Sequence, residues 1–254
     1  MRVWESNFVL YKRIWFSNAL GSLLQPFLYL LGMGVGVGSL IDRGSNADRL
    51  LDGTPYLAFL APGLIATTAM MTCATESLWP LMDGFRWTQG FHAAAATPVR
   101  PVDLVAGTAL WLGTRAVIAS GSVAVVLVLF DDTRSWGLIL AVAFSVLTGL
   151  AYAMPLAAWT STRESEASFP AILRFGLIPM FLFAGAFYPV DQLPAWLRPA
   201  AYVTPLYHGV ELCRDSVLDR LDLQSAALHV GVLLVFVAVP WVVARRLFTS
   251  RLYR

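Results

Sequence analysis

Six predominantly apolar runs of about 20 residues, at about 19–40, 56–76, 104–130, 136–159, 171–188 and 226–244, restrict this chain more than any other feature. Twenty residues at 1.5 Å per residue span the roughly 30 Å hydrocarbon core of a bilayer. Inside lipid a chain must satisfy its own backbone polar groups, and runs of this length do so as helices rather than as short barrel strands. Composition agrees: 57% of residues are hydrophobic and 13% charged, far from the balance of a soluble domain. The expected fold is an all-α integral membrane protein with six transmembrane helices, forming a single domain over residues 1–254. The first run starts late and lacks an A-x-A-type site, so a cleaved signal peptide is not expected.

Basic residues orient such a bundle, because loops rich in Lys and Arg stay on the cytoplasmic side. With both termini inside, that side carries Arg2, Lys12, Arg13, Arg86, Arg100, Arg163, Arg174, Arg245, Arg246, Arg251 and Arg254. The outer side has Arg43, Arg49, Arg134, Arg198, Arg214 and Arg220. Eleven bases against six favour this orientation, in the cell (inner or plasma) membrane. A net charge of +2, dispersed along the chain, leaves no nucleic-acid footprint. Lipid, protein or an apolar solute are the expected partners.

The segments between the runs are unusually aromatic. Residues 2–17 place Val3, Trp4, Phe8, Tyr11, Ile14 and Trp15 largely on one helical face, the pattern of an amphipathic helix lying in the membrane interface; a disordered tail is the alternative. Residues 77–103 combine Trp79, Phe85, Trp87 and Phe91 with Asp83, Arg86 and His92, as a docking surface would, or a helix resting on lipid. The stretch FYPVDQLPAWLRPAAYVTPLYHGVELCR, residues 187–214, is apolar yet broken by Pro189, Pro194, Pro199 and Pro205. Each proline removes a backbone donor. Its tyrosines and tryptophan suit headgroup depth, so a re-entrant hairpin over about 188–212, dipping into the outer leaflet between spans five and six, is expected; a plain outer loop is the alternative.

Chemistry-bearing motifs are absent. No G-x-x-x-x-G-K-[ST], H-E-x-x-H or G-x-S-x-G occurs, so no catalytic residue or nucleotide site is expected in the chain. The scattered His92, His208 and His229 suggest no metal-ligand set, and Cys73 and Cys213 read as packing residues. The glycines of GMGVGVG pair as Gly32/Gly36 and Gly34/Gly38, the spacing that lets helices approach closely. Carriers driven by ions display acidic or His relays within their spans; here only Arg115 and His229 lie well inside, with Glu76 and Arg174 near inner ends. Arg115 either snorkels inward or pairs with another buried group.

Taken together, the six runs, the amphipathic N-terminus, the loop ending AAAATPVRPVDLVAGTALW (residues 93–111) and the 187–214 stretch resemble the membrane subunits of ABC-2-type transporters. The likeness is strongest to the branch with nodulation lipo-oligosaccharide and daunorubicin-type drug exporter permeases. That resemblance implies a coupling helix at about residues 83–95, with Arg86, Trp87, Thr88, Gln89, Phe91 and His92 facing a separate ABC ATPase subunit. ATP and Mg would be bound by that partner and by no group of this chain. The family's outer-hairpin motif falls on Pro189, Pro194, Pro205, His208, Glu211 and Arg214. His92 followed by four alanines departs from the pattern of the relatives.

The resemblance further implies a homodimer, or a pair with a related permease, whose spans one, two and five open an export path for an amphipathic, lipid-linked or drug-like substrate. Gln25, Phe27, Tyr29, Tyr56, Phe59, Phe181, Phe183 and Phe187 are the candidate lining. An ATP-independent six-span carrier or channel, and a membrane anchor without transport, are the alternatives.

Overall fold

A computed structural model describes residues 2–42, 51 and 53–253, and for residues 2, 14–23 and 25 the backbone alone. Arg43, Asp48, Arg49, Asp52 and Arg254 lie outside the described residues, as do the side chains of Ile14, Trp15 and Gln25. Among the described residues every regular element is a helix, with no strand. Helix α1 (Arg2–Tyr29) runs through a π-helical stretch, Leu30–Val37, into the short α2 (Gly38–Ile41). Then come α3 (Tyr56–Glu76), α4 (Trp79–Met82), α5 (Gly90–Ala95), α6 (Pro101–Leu127) and α7 (Gly137–Thr160). The chain ends with α8 (Phe169–Ala171), α9 (Ile178–Phe183), α10 (Arg198–Val203), α11 (Pro205–Val217) and α12 (Leu223–Leu252).

Among the described residues, four helical segments are long and apolar enough to cross a membrane: the one opening at Tyr56, α6, α7 and α12. Their bounds track the second, third, fourth and sixth runs. The other two runs are shorter apolar helices, Pro26–Ile41 and Phe169–Phe183. The fifth ends at Phe183 rather than 188, because the backbone turns at Gly185, whose φ of +83° only glycine adopts without strain.

The N-terminal segment is not a separate element, as a helix over 2–17 followed by a span from 19 would be: α1 continues through residue 18 unbroken. Its aromatic face meets protein. Trp4 Nε1 donates to Thr114 Oγ1 at 2.9 Å, the Tyr11 ring meets Trp111 edge-on at 5.8 Å, and Val3 sits where a Cβ on Gly107 would fall. An amphipathic pattern shows that one face is covered, not what covers it.

Helix α3 lies at the centre. Its most apolar stretch is 83% buried, against 17% for α12, so α3 is enclosed by protein while α12 faces outward. Small residues allow the enclosure: Gly149 of α7 lies against Cys73 and Ala69, and Gly209 of α11 against Thr148 of α7. Both cysteines are free and buried, Cys73 donating to the Leu112 carbonyl and Cys213 to that of Ala141. Of the GMGVGVG glycines, Gly34 and Gly38 press on Leu57 and Tyr56 of α3, whereas Gly32 meets nothing nearby and Gly36 only its own helix's Leu31 carbonyl.

The α7–α11 contact gives a direct test. A Cβ at position 209 would overlap Thr148 Oγ1 and lie 2.6 Å from its Cγ2. Overpacking of this kind costs about 1–3 kcal/mol, so Gly209→Ala should lower the thermal unfolding midpoint in detergent. Thr148→Ala in the same chain should restore part of the loss, since the Cβ that alanine keeps would still lie 2.9 Å from the new methyl, and Thr148→Gly should clear that contact too.

Candidate functional site

Both termini and the segment between α3 and α6 gather at one end of the bundle. Val3 and Phe91 pack on a cluster of Phe85, Leu104, Ala158 and Phe248. Here the chain makes a π-helical turn, Asp83–Trp87, then passes through a left-handed Gln89 (φ 53°) into α5. The expected single helix over 83–95 is thus two pieces joined at a corner. Thr88 Oγ1 donates to the Asp83 carbonyl at 3.1 Å and to its carboxylate at 3.2 Å, closing the first piece.

Three rings anchor the corner: Phe85 lies 4.8 Å from Phe91 and 4.8 Å from Phe248. Arg251 covers Phe85 at 4.3 Å and donates to the Thr160 and Ser161 carbonyls, the end of α7. With the aromatics turned inward, Arg86, Trp87, Thr88, Gln89 and His92 are exposed side by side. Phe91 is half-buried, a support of the patch rather than part of its face.

Deeper in the bundle from this corner, Arg115 Nε is 2.8 Å from Glu76 Oε1, and its guanidinium lies 4.7 Å over the Tyr11 ring. Of the two readings of Arg115, the structure holds the pairing one. The pair ties α6, the end of α3 and the N-terminal helix together just before the exposed patch.

At the opposite end, the proline-rich stretch becomes a chain of short pieces, with a proline at the start of each. Pro189 precedes a 3₁₀ turn (Val190–Gln192), Pro194 opens the turn to Leu197, and Pro199 and Pro205 occupy the first turns of α10 and α11. At helix starts the missing N–H has no intrahelical acceptor anyway. Polar side chains join the pieces: Arg198 donates to the carbonyls of Asp191 (2.6 Å) and Leu193 (2.9 Å), and Tyr202 to the Asp191 carboxylate (3.2 Å). The Leu206 N–H, unpaired in the first turn of α11, donates to Tyr152 Oη of α7 at 3.3 Å.

Glu211 and Arg214 form the strongest link. Arg214 is 7% exposed. Its Nη1 is 2.6 Å from Glu211 Oε1, Nη2 donates to the Gly185 carbonyl at 2.7 Å and Nε to the Phe59 carbonyl at 3.4 Å. The guanidinium lies 3.8 Å above the Phe59 ring. One side chain thereby joins α11, α3 and the Gly185 turn. Beside it, burial and the Glu211 carboxylate raise the Asp215 carboxyl to about 6.

His208 and His229, distant in sequence, meet across α11 and α12 with Nδ1 atoms 2.6 Å apart, a hydrogen bond whose donor is set by the tautomers of the two rings. Sequence reading left them apart; only their positions near the same end of neighbouring helices hinted at it. Among the described residues no group of three or more His, Cys, Asp or Glu could hold a metal.

Between these pieces and the first helix lies a cavity of about 580 Å³, bordered by Tyr29, Tyr56, Phe183, Phe187, Met33 and Gln192 among others. Four of the eight candidate lining residues are among them. Phe181 meets Phe187 edge-on (4.8 Å) and Phe27 packs on the main core, while Phe59 is occupied beneath Arg214.

Long apolar helices around an enclosed α3, with the Arg115–Glu76 pair joining two of them, define a multi-pass membrane protein. Its family is that of the ABC-2 type transporters: residues 1–218 match that family, and the chain belongs to it. It is 31% identical over 254 residues to Nodulation protein J of Rhizobium leguminosarum bv. viciae, covering 100% of this chain and 95% of that protein. The Nodulation protein J of Rhizobium meliloti is 30% identical over 250 residues (98% and 92%), and that of Bradyrhizobium diazoefficiens 29% over 252 (99% and 93%). The chain is therefore a transporter membrane component.

Proposed function

We propose that this chain is the transmembrane subunit of an ATP-driven exporter, acting as a pair of permeases with two separate ABC ATPase subunits that bind the ATP and Mg. The observation that carries the reading is the exposed patch of Arg86, Trp87, Thr88, Gln89 and His92 on a corner braced by three phenylalanines. A rigid patch with an exposed tryptophan (54%) and arginine suits a partner's cleft, and its bracing by α3, α7 and α12 suits a lever. Both termini and this patch would face the cytoplasm. Shorter helices Pro26–Ile41 and Phe169–Phe183 would complete six spans around the aromatic cavity, and the 188–212 pieces would dip into the outer leaflet. An aromatic cavity with few polar groups suits an amphipathic, lipid-linked or drug-like cargo.

The test is co-purification and ATP hydrolysis of the chain with the ATPase subunit encoded beside it, reconstituted in vesicles. Arg86→Ala/Trp87→Ala should weaken the assembly about tenfold or more, the usual effect of removing such anchors, and lower coupled hydrolysis in step. Solute movement by the permease alone, without ATP, would replace this reading with a carrier or channel.

A further inference from the structure

The outward face of α12 leads to a feature that transport by itself does not require. Val235, Val239 and Val242 are 59%, 59% and 48% exposed, and their spacing of four and three residues puts them on one helical stripe. Continuing by fours, that stripe reaches Arg246 and Ser250. At this end α12 meets the first turn of α6, and between them lies a groove of about 560 Å³ lined by Val102, Val242, Arg245, Arg246, Thr249 and Ser250.

The charges in the groove are unspent. Arg100 is paired with Asp103, and Arg251 donates to the end of α7. Arg245 and Arg246 have no ion pair or side-chain hydrogen bond among the described residues. Val102, in the first turn of α6, lines the same groove, so the positive dipole end of that helix lies close by. An apolar stripe needing cover, ending in two adjacent unpaired guanidiniums, is complementary to one kind of molecule: an acyl chain attached to an anionic phosphate.

We propose that this groove is a binding site for an acidic phospholipid, with its phosphate on Arg245 and Arg246 and an acyl chain along Val242, Val239 and Val235. Arginines that merely snorkel to the membrane surface would take any headgroup. Here the pairing of two guanidiniums favours a headgroup without its own ammonium, since a zwitterionic lipid already neutralises its phosphate internally. Basic pockets between membrane helices are suited to such headgroups. The proposal rests on α12 lying in the membrane and not on the chain's role in export.

The experiment is native mass spectrometry of the purified full chain in neutral detergent, titrated with phosphatidylglycerol, phosphatidylcholine or glycerol 3-phosphate. The wild type should retain phosphatidylglycerol over phosphatidylcholine, and glycerol 3-phosphate should not compete at matched concentration. Arg245→Gln/Arg246→Gln should weaken phosphatidylglycerol retention roughly thirtyfold, the combined contribution of two basic residues at a membrane surface. Arg245→Lys/Arg246→Lys should keep part of it, Val102→Trp should block the groove without touching either charge, and Arg174→Gln, an exposed cation elsewhere, should change nothing. Equal retention of the two lipids, equal retention by wild type and the Gln pair, or displacement by glycerol 3-phosphate would each overturn the site. So would loss of ATPase co-purification in the Gln pair with lipid retention intact, since the groove would then belong to a protein partner.

Discussion

Arg214→Met should be among the most damaging single substitutions in the chain, lowering the thermal midpoint of the purified protein by roughly 10 °C. The side chain is 7% exposed and bonded to Glu211 and to the carbonyls of Gly185 and Phe59. Removing one partner of a buried ion pair costs about 3–5 kcal/mol, because the other is left uncompensated, and each kcal/mol moves the midpoint of a domain this size by about 2–4 °C. Methionine can fill the volume and keep contact with the Phe59 ring, but it restores no hydrogen bond. Lysine keeps the charge without the planar fork that reaches two carbonyls and stacks on a ring, so Arg214→Lys should recover less than half of the loss. A drop under about 2 °C for Arg214→Met would show that the guanidinium does not hold these pieces together.

The same substitution should show a pH signature. Burial and the neighbouring Glu211 raise the Asp215 carboxyl to about 6, against the lowering effect of Arg214. A raised acid binds its proton more tightly when folded, so its ionisation removes stability as pH climbs from the ordinary carboxylate range through about 6. Without Arg214, only the weaker pull of Arg220 opposes the repulsion between the two carboxylates above that range. The deficit of Arg214→Met relative to the wild type should therefore be larger at pH 8 than at pH 5.5, and Asp215→Asn in the variant should flatten the difference.

How far the sequence could be read follows from what each pattern encodes. Apolar run length encodes a span, and 56–76 falls on Tyr56–Glu76. It does not encode a turn inside a run, so the fifth apolar run extends to 188 while its helix stops at Phe183, before the turn at Gly185. Prolines encode breaks, and all four stand at the start of short pieces, yet nothing in their spacing says that Arg214 would reach back 155 residues to the Phe59 carbonyl. Residue type alone put Phe59 with the path and Phe91 with the partner surface; one lies under a guanidinium and the other against Phe85 and Phe248. The His208–His229 meeting and the Tyr152 bond to Leu206 are tertiary events between residues whose local patterns are unremarkable. Periodicity likewise fixed which face of residues 2–17 is covered, while α6 rather than lipid covers Val3, Trp4 and Tyr11.

The pair of Arg115 and Glu76 should behave unlike a simple sum of two residues. Their side chains are 13% and 20% exposed and 2.8 Å apart, and although Glu76 borders a cavity that Ser6 and Asn7 also line, an isolated charge between membrane helices is expensive. Arg115→Met alone leaves a carboxylate in that setting, and Glu76→Gln alone leaves a guanidinium with only the Tyr11 ring, 4.7 Å away, to face it. Each should cost about 3–5 kcal/mol, whereas Arg115→Met/Glu76→Met, which removes both charges at similar volume, should come back to within about 1 kcal/mol of the wild type. Thermal unfolding of the four proteins closes the cycle. Limited proteolysis adds a local readout, because Arg115 also holds Tyr11: the N-terminal helix should be cut faster in Arg115→Met and in the double variant, but not in Glu76→Gln. If the double variant were as unstable as either single one, the ions would be needed for more than each other's neutralisation, as they would be if water or cargo reached them between α3 and α6.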